Sequence, residues 1–157
     1  MEYTVPGLTT DTGRKVTEIL QDRLGVLNDL HLTLKHAHWN VVGPTFIGVH
    51  EMLDPQIELV RGYADEVAER IATLGGSPVG VPGRTAYTRP WDEYTLDKGK
   101  TVDHIAALDG VYTGLISSQR TAIEEVGDLD PITEDMLIAQ SAELEKFQWF
   151  LRAHLDG

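Results

Sequence analysis

The chain has 157 residues, and its 25 Asp and Glu against 13 Lys and Arg give a formal net charge of −12. That length builds one domain with a sizeable core, expected to span residues 1–157. A body this acidic attracts cations and repels nucleic acid. The absence of cysteine excludes disulfides and thiolate metal sites, and no apolar run is long enough for a transmembrane helix. The start MEYTVPGLTTDTGR lacks the basic-then-apolar layout of a signal peptide, so the expected location is cytoplasmic. Any metal must be held by His and carboxylate, a mix that suits iron, manganese or zinc.

Residues 1–9 read as a short extended arm with a turn at Pro6-Gly7. Val16, Ile19, Leu20, Leu24, Leu27, His31 and Leu34 then recur at helical steps. The spacing predicts a first helix from Thr10, with Thr10 or Asp11 as N-cap, to about Asn40, before Gly43-Pro44 stops it. So short a connection makes the next helix run back antiparallel. It spans about Thr45 to Leu74, with Phe46, Val49, Leu53, Ile57, Val60, Ala64, Val67, Ile71 and Leu74 inward. Gly75-Gly76 ends it. Pro55 lies inside, where the lost N–H predicts a kink.

Residues 75–97 hold four glycines and three prolines. They form a long crossover, with a short helix expected around Arg84–Thr88. A third helix is expected from about Lys98 to Val126, with Val102, Ile105, Leu108, Tyr112, Leu115, Ile116 and Ile123 inward. A fourth runs from about Thr133 to Leu155, with Leu137, Leu144, Phe147 and Leu151 inward. The fold class is all-α. Four long helices with one long crossover describe a ferritin-like bundle.

The second helix carries the chemistry. His50 and Asp54 form an i,i+4 pair on one face, and Asp65 and Glu69 form another. At about 100° per residue, Asp54, Asp65 and Glu69 lie about 40°, 60° and 100° round from His50, on a single stripe. Asp54 and Asp65 are nonetheless about 16 Å apart along the axis, and ligands must come within about 2–2.5 Å of an ion. The two pairs are placed symmetrically about the midpoint between Leu59 and Val60. Two copies of this helix, antiparallel across a two-fold axis there, would set His50 against the other copy's acid pair and complete two identical sites. The hairpin turn brings His38 to the height of His50. These five residues make a candidate metal centre shared between subunits.

Other chemistries find less support. Glu-x-x-His pairs, the mark of a di-iron site inside one bundle, are missing, because none of the six histidines has Glu three residues before it. His50-Glu51-Met52-Leu53-Asp54 begins like a zincin motif but ends in Asp. No nucleophile elbow or phosphate loop is present. Of the remaining histidines His31 is expected in the core, and His36 and His104 at the surface. Tryptophans 39, 91 and 149 are expected to pack, although Trp39, directly after a proposed ligand, has the best claim to a redox role.

HWNVVGPTFIGVHEMLD and ADEVAERIATLGG, with LEKFQWFLRAHL in the last helix, resemble the Dps family of mini-ferritins, named for DNA protection in starved bacterial cells. The resemblance runs the whole chain. It implies a homo-oligomeric shell of twelve four-helix subunits. Its ferroxidase ligands fall on His38, His50 and Asp54 of one subunit and Asp65 and Glu69 of its two-fold mate. It implies oxidation of Fe(II), typically by hydrogen peroxide, and storage of ferric mineral. Trp39 corresponds to the family's radical-intercepting tryptophan. Residues 121–145 carry eight acidic and no basic side chains, and Asp128, Asp130, Glu134 and Asp135 are candidates for an acid-lined iron entry path. Glu51 and Glu58 are candidates for mineral seeding.

DNA binding is expected to be weak or absent. The family's DNA binders use basic tails, and here the arm offers only Arg14 and Lys15 on a strongly acidic body. Two other readings remain: a nucleoid-compacting protein, and a hydrolase using the same interfacial metal.

Overall fold

The computed structural model describes residues 2–84 and 87–156. Helix α1 runs Thr10–Asn40, α2 Phe46–Thr73, α3 Thr101–Gly127 and α4 Pro131–Ala153. Helices α1 and α2 form one antiparallel hairpin, α3 and α4 a second, and α1 lies against α3. Apolar residues at three- and four-residue steps become the bundle core, with Leu20, Leu27, Leu34, Leu53, Val60, Leu108, Leu115, Leu137 and Leu144 all buried. No helix among the described residues is long and apolar enough to cross a membrane.

The N-cap of α1 is Thr9 rather than Thr10 or Asp11. Its hydroxyl accepts from the Thr12 N–H, and so it satisfies one of the free amides of the first turn. Gly43, at φ +120°, turns the chain between α1 and α2. Gly75, at φ +88°, ends α2, where the Gly76 N–H reaches back to the Ile71 carbonyl. Helix α2 continues through Pro55. One residue on, Gln56 is fully buried, donates to the Met52 carbonyl and accepts from the Tyr112 hydroxyl at 2.8 Å. That side chain fastens α2 to α3 one residue after the missing amide.

Helix α4 starts two residues earlier than expected because Asp130 caps it, with Pro131 in the first turn. The Asp130 carboxylate is 2% exposed and accepts from Arg70 of α2 at 2.5 Å. This pair holds the C-terminal half of α2 to the start of α4.

The crossover is not helical at Arg84, Tyr87 or Thr88, and the rest of the expected short helix lies outside the described residues. It docks through glycines. A Cβ on Gly25 of α1 would come within 2.6 Å of the Tyr87 ring, and one on Gly114 of α3 within 1.9 Å of the Pro90 carbonyl oxygen. Before α3 the crossover forms a two-residue parallel pairing. Strand β1, Val41–Val42, lies beside β2, Gly99–Lys100. Phe46 and Val102, expected inward, are 42% and 49% exposed. Both sit in the first turn of their helices, where the stripe has not yet entered the bundle.

Candidate metal centre

The α1–α2 turn brings His38, on the last turn of α1, beside His50, on the second turn of α2. The two imidazoles stack, with ring centroids 3.6 Å apart and planes inclined by 24°. Each holds the other's backbone. His38 Nδ1 lies 3.0 Å from the His50 carbonyl, and His50 Nδ1 lies 2.9 Å from the His38 carbonyl. A carbonyl only accepts, so both rings carry their proton on Nδ1. Both Nε2 atoms therefore keep a lone pair for a metal. Backbone carbonyls fix ring and tautomer together, a common way of preparing histidine ligands.

Asp54 completes the cluster. One ligand atom from each of His38, His50 and Asp54 lies within 4.8 Å of the others. Asp54 Oδ1 is 3.4 Å from His38 Nδ1 and 3.6 Å from Lys35 Nζ. Lys35 reads from sequence only as a base near a helix C-terminus. In the fold it supplies a counter-charge to Asp54, which an arriving cation has to displace. His38 is buried and Asp54 exposed, so the cluster opens outward from the hairpin.

Asp65 and Glu69 do not join it. Both are exposed on the C-terminal half of α2. Asp65 borders a groove with Asn28, Arg61 and Pro78, and Glu69 lines a neighbouring one with Tyr63, Arg70 and Thr73. Within one chain the five residues thus form a cluster of three and a separate exposed pair.

Residues 17–157 match the ferritin-like domain family. The "DNA protection during starvation protein" of Mycolicibacterium smegmatis is 60% identical over 155 residues, covering 99% of this chain and 85% of the relative. The chain belongs to the Dps family. The solved Dps from Mycobacterium smegmatis in its tetragonal form is 57% identical, with a TM-score of 0.95 over 100% of this chain and 95% of that one. A "fine tangled pili major subunit" from Haemophilus ducreyi is also similar, at 54% identity over 99% of this chain and 82% of the relative. Relatives of this chain thus carry names that describe different roles.

Several placements in this Dps-family chain differ from expectation. Asp130 is buried as a cap and ion-pair partner, which removes it from the set of free entry-path acids; Asp128 and Asp135 are exposed. Burial opposes ionisation of Asp130, yet hydrogen bonds from Thr133 and Arg70 outweigh it and hold the carboxyl below its usual range. Trp39 and Trp149, expected to pack, are 68% and 63% exposed, whereas Trp91 is buried. Glu51 and Glu58 are exposed, and His31 is half-buried rather than in the core.

His104, expected at the surface, is fully buried. Its Nδ1 is 2.6 Å from the Tyr94 hydroxyl and its Nε2 3.0 Å from the Asp97 carbonyl. Desolvation lowers its pKa, so the ring is neutral near pH 7. Periodicity could not find this pair, because both Tyr94 and Asp97 come from the crossover.

Proposed function

We propose that this protein is a ferroxidase and iron store. Two subunits, related by a two-fold axis near Leu59 and Val60, share each centre. His38, His50 and Asp54 of one subunit and Asp65 and Glu69 of the other bind Fe(II) as substrate. Two Fe(II) ions each give up one electron, and hydrogen peroxide takes both as its O–O bond breaks. The ferric product is held as mineral inside a dodecameric shell. Removing iron and peroxide together protects the cell from oxidative stress, and the natural setting is the cytoplasm, where the two meet.

One observation carries the reading: a three-residue cluster with both imidazole tautomers prepared for a cation, with a second acid pair mirrored on the same helix. Imidazole nitrogen and hard carboxylate oxygen suit Fe(II) and tolerate Fe(III). An incomplete ligand set lets product leave, where a closed one would retain it. Trp39, exposed beside His38, is placed to intercept a stray radical. The net charge of −12 favours weak or absent DNA binding at physiological salt. A gel shift showing tight, salt-sensitive retention of a duplex would reject that part.

The deciding experiment is complementation. His38→Ala/His50→Ala chains and Asp65→Ala/Glu69→Ala chains are each expected to be inactive in Fe(II) oxidation by peroxide. Co-expressed in equal amounts and paired at random, they restore one intact centre in each mixed dimer, about a quarter of all centres. Ferric absorbance that stays at the level of the separate variants would refute a shared centre.

A further inference from the structure

Five tyrosines occur in the chain, and among the described hydrogen bonds only Tyr94 meets an imidazole. The Tyr112 hydroxyl donates to the Gln56 amide oxygen, which is not a base. The Tyr87 hydroxyl donates to Asp29, whose carboxylate is already paired with Arg89 at 2.8 Å. Tyr94 Oη lies 2.6 Å from His104 Nδ1. The far side of that ring is committed as well, because Nε2–H donates to the Asp97 carbonyl. Nδ1 is therefore an acceptor, and the Tyr94 O–H is the proton it accepts. The His36 ring stands edge-on to Tyr94 at 6.0 Å, two residues before His38 on α1.

We propose that Tyr94 and His104 form a redox-active pair that takes up oxidising equivalents by proton-coupled electron transfer. A phenol that is half-buried, as Tyr94 is, cannot lose an electron alone at low cost, because the radical cation is a strong acid in a place short of solvent. Here the proton has a destination. When a one-electron oxidant removes an electron from Tyr94, the Oη–H bond breaks and an N–H bond forms at His104 Nδ1. The products are a neutral tyrosyl radical, an imidazolium and the reduced oxidant. The imidazolium keeps both N–H groups partnered, one to the Tyr94 oxygen and one to the Asp97 carbonyl, with Asp103 nearby as a negative charge. A second electron, from Fe(II) or a small reductant, returns the proton and restores the pair. The oxidant is an oxygen-centred radical, or an exposed indole radical at Trp39 or Trp149 produced by one. The pair needs no metal centre, so it stands independently of the iron reading.

The test uses the whole, iron-free protein. A photo-generated tris(bipyridyl)ruthenium(III) oxidant supplies the hole, and freeze-trapped radicals are read by electron paramagnetic resonance. Wild type is expected to give a neutral tyrosyl signal that forms more slowly in D2O. Tyr94→Phe, which removes one hydroxyl, is expected to remove most of that signal although four tyrosines remain. General-base assistance is typically worth 10²–10⁴-fold, so His104→Gln is expected to slow tyrosyl formation by at least about tenfold and to abolish the D2O effect. A purely structural bond would leave the signal of Tyr94→Phe at the wild-type level. An unchanged rate in His104→Gln overturns the proposal too. Should that variant not fold, the wild-type rate in D2O decides in its place, and equal rates in D2O and water overturn the proposal.

Discussion

The two halves of α2 present acids and a histidine on one stripe, yet they are held in opposite ways. At the N-terminal half the functional groups are themselves the fastening: His38 and His50 bond each other's carbonyls and stack. At the C-terminal half the exposed pair Asp65 and Glu69 is left loose, and the neighbouring Arg70 does the fastening, to Asp130 of α4. One half is prepared within the chain, and the other is prepared only as a rigid helix surface. The difference teaches that preorganisation is uneven: the imidazoles of the proposed centre, which must show the right tautomer, are fixed in advance, while its proposed acid pair is presented on a scaffold.

The largest expected effect would break this contrast in function. If both halves serve one centre, Asp65→Ala/Glu69→Ala lowers Fe(II) oxidation about as much as His50→Ala does, by about 100-fold or more, with the circular dichroism of a folded bundle. A stopped-flow trace at wild-type rate for the acid-pair variant would return those residues to the role of a solvated helix face.

The next effect is on stability. Removing one partner of a buried ion pair typically costs about 3–5 kcal/mol. Asp130→Ala is therefore expected to lower Tm by roughly 6–20 °C for a domain of this size, because it strands Arg70 and uncaps α4. At the other half the corresponding loss is smaller. His50→Ala removes one neutral hydrogen bond, from its Nδ1 to the His38 carbonyl, worth about 1 kcal/mol, together with the ring stacking. The His38 bond to the backbone carbonyl of residue 50 stays, so the melting shift of His50→Ala should be less than half that of Asp130→Ala. Equal shifts would mean that the two halves are anchored alike.

The smallest effects come from pH. Asp130 has a depressed folded pKa, so its contribution is complete above the unfolded value near 3.9 and is lost as pH falls through the folded one. His104 is also depressed. The unfolded chain then binds the extra proton first, and stability falls as pH drops below about 6.5 toward the folded value. The groups facing His104 are the Tyr94 hydroxyl, the Asp97 carbonyl, His36 and Asp103. Denaturant midpoints of wild type should decline between pH 6.5 and 5, and His104→Gln should decline less. Parallel curves would remove His104 as the source.

Much of this was legible in the residues. Helix periodicity placed all four helices to within three residues at each end, because the buried stripes of a bundle repeat locally. The His38–His50–Asp54 cluster was legible for the same reason, since a five-residue turn leaves little freedom to two histidines on either side of it. What escaped reading depends on contacts distant in sequence. Asp130 looked like a free acid in an acidic turn until Arg70, sixty residues away, was found beside it. His104 looked exposed because its partners sit in the crossover, which has no periodicity to read. Phe46 and Val102 fit the helical phase but stand at helix ends, where phase no longer reports burial.

The β1–β2 pairing is only two residues a side, but it closes Val41 to Gly99 into a ring of chain. A ring fastened at its neck is insensitive to what is spliced in elsewhere along it. For a flexible loop, doubling the length adds only about 0.6 kcal/mol of closure cost. Pro82 and Gly83 lie exposed in the turn region of that ring, and Gly83 has φ +82°. A guest peptide grafted there would be carried on each subunit while both hairpins kept their register, which makes the crossover a natural handle on an otherwise closed bundle.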